Sequence, residues 1–411
     1  MHSNHEGADW AAAYDRVMTR ALLPLAFLPA LVAAQSGTGA LPKPPVDLVR
    51  VPSGGIQPEV AVDGAGMVHM VYLAGEPAAA NVFYVRSSDG GNTFSRAVRV
   101  NSQDGSAIAT GTIRGAQLAL GRNGRVHVAW NGSGKATPSA PVDPRTSRAG
   151  MPMLYSRGNP GATEFQPQRN LISQTTHLDG GGSIAADGRG HVYVAWHGQP
   201  ADGEGGEEAR RVWIARSSDD GANFAKEAAI SDARTGVCGC CALRLLAARS
   251  GELQLLYRSA ANGTQRDVHS LVSRDLGQTF AGTRVHGWEI NACPMTSMSL
   301  VDGTPVLRAW ETDGQVYYAS ADSAGAPSSP PVPAGAGPLR RKHPRMARGP
   351  NGAVLLAWAD GTAWARGGSV AWQVFGADGR PTDVSGSNTG IPAWSFAAVI
   401  ARPDGGFRIF Y

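Results

Sequence analysis

The sequence predicts an all-β fold, one closed ring of repeated antiparallel modules, seven by count with six as the alternative. Three observations predict it. Glycine supplies 53 of the 411 residues with no Gly-X-Y period, a content that in a folded chain marks many tight turns between short strands. One hairpin pattern recurs along the chain, and a turn motif recurs in phase with it. Composition agrees. Apolar residues are 42% and charged residues 17%, which allows a large core and excludes a disordered or coiled-coil chain. The net charge is only +4 and basic clusters are rare, Arg340-Arg341-Lys342 being the densest. Nucleic acid is therefore not an expected partner.

Taken in order, residues 1–34 read as an N-terminal extension and a signal peptide. Arg20 gives a short positive region, Ala21 to Leu31 an apolar stretch, and Val32-Ala33-Ala34 a small-residue end, the pattern of a secretory leader starting at Met18. The stretch is too short to span a bilayer, and no other segment is long and apolar enough. A periplasmic or secreted protein is expected, acting as a monomer, with residues 35–45 as a flexible lead-in to one domain over 46–411.

The hairpin copies are EVAVDGAGMVHMVY (59–72), AQLALGRNGRVHVAW (116–130), GSIAADGRGHVYVAW (182–196), LRLLAARSGELQLLY (243–257), MSLVDGTPVLRAW (298–310), RMARGPNGAVLLAW (345–358) and FAAVIARPDGGFRIFY (396–411). Each joins two strands through a Gly-containing turn. They end between 48 and 66 residues apart, the period of a β-propeller blade. Third strands follow at 81–88, 211–218 and 267–274. The seventh copy stops after two strands, and VDLVRV (46–51) has no hairpin of its own. Pairing of the two closes the ring and removes the exposed sheet edges.

Three turns follow third strands: Ser87-Ser88-Asp89-Gly90-Gly91-Asn92-Thr93-Phe94, Ser217-Ser218-Asp219-Asp220-Gly221-Ala222-Asn223-Phe224 and Ser273-Arg274-Asp275-Leu276-Gly277-Gln278-Thr279-Phe280. The shared form is S-x-D-x-G-x-(T/N)-F. Asp89, Asp219 and Asp275 are read as structural acceptors for turn amides, with Gly allowing a left-handed backbone and Phe packing into the blade. Regions 156–165, 320–325 and 375–381 are degenerate candidates. The motif resembles the Asp-box (BNR) repeat of sialidase-like β-propellers, over about residues 46–411. The resemblance implies a propeller of six or seven blades. It also implies an active site on the face away from the Asp boxes, where sialidases cleave terminal sialic acid with three arginines, a Tyr–Glu pair and an Asp acid. Where the family has R-I-P, this chain has Ile56-Gln57-Pro58-Glu59. Arg114 and Arg345 open later hairpins.

On the face opposite the Asp turns, loops entering first strands carry Gln57, Arg114, His177 with Asp179, the four cysteines, His343 and Trp394. Loops leaving second strands carry Asn131, His197, Arg258, Glu311 and Asp360. Arg258 and Arg266 suit a bidentate grip on a carboxylate. Asp267, Glu311 or Asp360 would act as general acid and Tyr257 as nucleophile. Arg114, Arg345, His343, Trp288 and Trp394 are candidate substrate-binding residues, the two Trp as sugar platforms. The competing readings are an Arg266–Asp267 structural ion pair, Tyr257 as blade packing, and His197 and His343 as solvated loop histidines. Trp130, Trp196, Trp310 and Trp358 end hairpins and are assigned to the core.

All four cysteines (Cys238, Cys240, Cys241, Cys293) lie within 238–293, on the entering loops of adjacent blades. In an exported protein the expectation is disulfide bonding. The alternative is a thiol or metal site for Cu(I) or Zn(II). No cofactor is required by the first. The functional expectation is an exo-acting glycoside hydrolase on sialic acid or a related acidic sugar. The alternatives are a non-hydrolytic propeller with a cysteine-rich site and a glycan- or protein-binding module.

Overall fold

The computed structural model describes residues 45–411 apart from 112, 202, 323, 328, 330, 331 and 336–339. The signal segment and nearly all of the lead-in lie outside the described residues. No helix among the described residues is long and apolar enough to cross a membrane.

Each of the seven hairpins forms where the alternation and the Gly turn require it, and each is the inner half of one blade. Blade 1 pairs Ile56–Val62, Val68–Glu76, Ala79–Ser87 and Val98–Arg99 in that order. Blades 2 to 6 repeat this antiparallel order, with innermost strands Gln117–Leu120, Ser183–Ala186, Arg244–Ala247, Ser299–Val301 and Arg341–Arg348, and blade 3 adds a fifth short strand, Thr175–Thr176, on its second. Blade 7 is Ala398–Ala401 and Phe407–Phe410, completed by Val46–Val49. That N-terminal strand runs parallel to Phe407–Phe410, with Val46 opposite Phe407 and Val49 opposite Phe410. The first and last strands of the domain thus share a blade, as the unpaired ends of the sequence predicted. The seven innermost strands follow one another around the hub, and Ala398–Ala401 lies beside Ile56–Val62.

The core is a series of layers between neighbouring blades. Val71 and Tyr84 of blade 1 pack with Leu118, Val128 and Trp130 of blade 2. Ile214 of blade 3 packs with Leu255 and Tyr257 of blade 4. Trp130, Trp196 and Trp310 are fully buried and Trp358 nearly so, as expected for core aromatics. The motif phenylalanines stitch across blades: Phe94 meets Phe410 edge-on at 5.9 Å, and Phe224 meets Tyr155 at 4.9 Å.

The antiparallel order fixes two faces. First strands run from one face to the other and second strands return, so the 1–2 and 3–4 turns share a "turn face". The entering loops and 2–3 loops share the opposite "loop face". The three motif aspartates sit on the turn face and work as acceptors. Asp89 takes the Asn92 and Thr93 amides at 2.9 Å and the Thr93 hydroxyl at 2.6 Å. Asp275 repeats the set with Gln278 and Thr279. Asp219 takes the Asn223 amide and side chain, both at 2.8 Å. Among the degenerate regions, Asn159 accepts from Thr163 and Glu164, and Asp322 from Ala324 and Ala326.

Candidate functional site

The loop face is closed at its centre. A Cβ at Gly180 would stand 2.1 Å from the Cys241 carbonyl oxygen, and one at Gly181 1.8 Å from that of Ile113. The Gly180-Gly181-Gly182 run is therefore what lets the entering loops of blades 2, 3 and 4 touch. Gln57, where the family arginine would be, donates to the carbonyls of Ala109 at 2.5 Å and Trp394 at 2.7 Å. It is fully buried and serves as a rivet between loops.

The expected carboxylate clamp does not form. Arg258 is buried and donates to the carbonyl of Arg266 at 2.6 Å and to that of Glu311. One face of Trp288 lies 5.0 Å from its guanidinium. Arg266 pairs instead with Glu207 at 2.6 Å. Asp267 pairs with Arg284 at 2.7 Å and accepts the Trp288 amide at 2.8 Å, so the anticipated Arg266–Asp267 pair is also absent. Tyr257 is 1% exposed and its hydroxyl meets Thr235 at 3.0 Å. Packed in the core between blades, it cannot reach a substrate, and burial pushes its phenol up to about 12. Asp360 sits opposite Arg341 in the register of blade 6.

The candidate binding residues also scatter. Arg114 is engaged by Asp179. His343 and His197 were expected in solvent, but both are buried. His343 packs against Phe396 with its Nδ1 3.3 Å from Ser297 Oγ. Burial holds both imidazoles well below their ordinary value, so they are neutral. Arg345 points into the hub rather than onto the loop face. The entering loops are packed together, so polar side chains that open strands become interior groups.

Two features on the loop face remain chemically open. The first is the sulfur cluster. Cys240 and Cys293 are joined in a disulfide across the loops of blades 4 and 5, and Cys238 and Cys241 are free and buried. The Sγ atoms of Cys238 and Cys241 are 3.1 Å apart, and Cys238 Sγ is 3.5 Å from Cys240 Sγ. The three sulfurs of residues 238–241 lie within 4.8 Å of one another, an arrangement able to hold a metal ion only once Cys240 is released from its disulfide. Burial pushes the Cys241 thiol up, but the hydrogen bond from Cys238 and the charge of Arg258 bring it below the ordinary thiol value. Cys293 is exposed, so the disulfide is the outer member of the group.

The second feature is a cleft of about 310 Å³ beside the disulfide, lined by Trp288, Cys293, Glu311, Asp313 and Lys342. Glu311 accepts the Gly314 amide at 2.6 Å through Oε1, while Oε2 has no hydrogen-bond partner. Glu311 is 1% exposed, and burial holds its carboxyl above the usual carboxylate range despite Arg258. Lys342 donates to the Pro294 carbonyl at 2.6 Å.

No family model and no curated protein matches the sequence. Solved structures do match. The α-L-arabinanase of Penicillium chrysogenum is 11% identical with a TM-score of 0.51, over 80% of this chain and 95% of that one. A Hadza microbial sialidase is 12% identical with a TM-score of 0.49, over 79% and 69%. An α-L-arabinofuranosidase from Fusarium graminearum is 12% identical with a TM-score of 0.47, over 82% and 98%. This chain is a seven-bladed propeller, the fold it shares with the arabinanase. Fold alone does not transfer chemistry. Glu59, Arg244 and Glu207 had no place in the sequence reading. For the first two a signal existed: both open innermost strands at the same phase of the repeat.

Proposed function

We propose that the protein is a non-hydrolytic propeller whose loop face carries a thiol–disulfide exchange centre. One observation carries this reading: a buried dithiol stands 3.5 Å from an exposed disulfide. Exchange proceeds by thiolate attack on a disulfide sulfur. Cys238 attacks Cys240 Sγ and the Cys240–Cys293 bond breaks, the proton of Cys238 passing to Cys293 as it leaves. Cys241 then attacks Cys238 Sγ and the Cys238–Cys240 bond breaks, the proton of Cys241 passing to Cys240 as it leaves. Two thiols become the Cys238–Cys241 disulfide, one disulfide becomes two thiols, and the two protons pass to Cys240 and Cys293. The exposed pair exchanges electrons with an external dithiol by the same chemistry. Full reduction presents four thiols, a donor set suited to Cu(I) or Zn(II). An exported location, the expectation from residues 18–34, supplies the oxidising surroundings such a disulfide needs.

The test is disulfide mapping by mass spectrometry across a redox titration with dithiothreitol, with metal content measured on the reduced protein. Interchange of Cys240–Cys293 with Cys238–Cys241 is expected, and loss of interchange in Cys238→Ser. A single fixed connectivity at every potential would sink the reading.

The unpartnered Oε2 of Glu311 favours a second reading, acid-assisted cleavage of an acidic glycan in the adjacent cleft. Protonated Glu311 is the acid, the free face of Trp288 stacks on a sugar, and Lys342 and Arg340 attract its carboxylate. A fluorogenic sialoside assayed from about pH 4 to 8, the range in which such an acid titrates, decides it. Turnover lost in Glu311→Gln supports it, and no turnover in the wild type ends it.

A further inference from the structure

The axis of the hub, beneath the closed loop face, has its own chemistry. The residues that open the regular pairing of the seven innermost strands are Glu59, Gln117, Ser183, Arg244, Ser299, Arg345 and Ala398. Being at one phase of the repeat, they form one ring. Arg244 reaches across it, donating to Gln117 Oε1 at 2.6 Å and Glu59 Oε1 at 2.5 Å. Arg345 stands beside them with a guanidinium nitrogen 3.9 Å from Glu59 Oε2, too far for a hydrogen bond. Its Nη1 donates to the Pro344 carbonyl at 3.2 Å and to Ser297 Oγ and the Met298 carbonyl at 3.3 Å, and its Nε has no partner. Glu59 Oε2 is likewise without a hydrogen bond. Two guanidiniums thus share one carboxylate inside the protein.

A channel of about 780 Å³ leads from this ring to the turn face. Its mouth carries Arg249 and Arg348 with Asp302. Asp302 is taken by Arg249 at 3.2 Å. Arg348 donates to the Pro305 carbonyl at 2.6 Å, which satisfies a donor without neutralising its charge. The channel is therefore net positive from mouth to floor. An uncompensated buried charge is costly, and a low-dielectric channel of one sign concentrates counter-ions. Burial, reinforced by Arg244, lowers Arg345 to about 10, against the opposing pull of Glu59.

We propose that the hub channel is an anion-binding site, entered from the turn face, in which the oxygens of a phosphate or carboxylate group accept from Arg345 at the floor. The site opens on the face opposite the sulfur centre. It needs no conformational change, because the channel is open and its donors are already fixed by strands.

The experiment is titration calorimetry on the full chain at constant ionic strength, with inorganic phosphate in one arm and glucuronate in the other. The two arms separate a phosphate ligand from a sugar acid. Saturable binding of at least one is expected, weakening as salt rises. Glu59→Gln keeps the shape and removes the competing carboxylate. It should tighten binding about tenfold, equivalent to 1.4 kcal/mol. Arg345→Met should abolish binding. If that variant does not fold, Glu59→Gln and the exposed-mouth variant Arg249→Ala decide, the latter weakening binding by a few-fold. The proposal is overturned if neither anion binds the wild type, or if Glu59→Gln binds no tighter than wild type.

Discussion

The two ends of the hub contrast. At the turn face the strands are joined by short repeated turns, the axis stays open for about 780 Å³, and guanidiniums exceed carboxylates. At the loop face the connections are long and unlike one another. They meet over the axis, and the charged groups among them pair off or bury. The difference shows that a repeat dictates a scaffold and one rim, and that the other rim is free to be filled with new chemistry.

The largest effect that would break the contrast comes from the glycines. Gly181→Ala pushes a Cβ to 1.8 Å from a backbone carbonyl, whereas at Gly64 on the turn face a Cβ meets nothing within 4 Å. The first should cost about 3 kcal/mol by forcing backbone shifts. The second should stay within about 0.5 kcal/mol. Urea unfolding of both variants checks this, and equal effects would mean that the loop face is not closed.

Acid comes next. His69, His127, His197 and His343 are all held below the ordinary imidazole value by burial, His127 to about 4. The unfolded chain therefore binds protons first. The stability these residues contribute is complete above about pH 6.5 and falls as pH drops towards 4. Unfolding midpoints across that window should fall, and should fall less in His343→Phe. A midpoint that rises on acidification contradicts the burial of both ends.

The smallest effect separates turn chemistry from loop chemistry. The Asn223 amide, with the Asn223 side chain and the Ser217 hydroxyl, holds Asp219 down at about 2 against the opposing effect of desolvation. Asp219→Ala removes these acceptors from an exposed turn. It should lower the melting temperature slightly, narrow the stable range at low pH, and leave cysteine connectivity and anion binding unchanged. Any change at the sulfur centre would show that the two faces are coupled.

Much of the scaffold was legible because period-2 alternation and Gly turns are local rules. All seven hairpins and the terminal closure lie where those rules put them, and the motif aspartates accept the turn amides. The site was only partly legible. The four cysteines do converge, since ring closure places adjacent entering loops together. The roles given to Arg258 and Tyr257 did not hold, since nothing in their sequence neighbourhood reveals that they are covered. His343 misled for the same reason. Glu59 and Arg244 were overlooked although they stand in phase with Arg345.

The sequence alone determined the repeated hairpin, the direction of each strand and therefore which residues share a face. Alternation and turn chemistry act over a few residues and need no distant partner. Tertiary structure alone decided which loop-face side chains are exposed, which sulfurs pair, and that two arginines share one glutamate at the axis. Burial and charge balance are sums over groups brought together from all seven blades, and no local stretch of chain contains that sum.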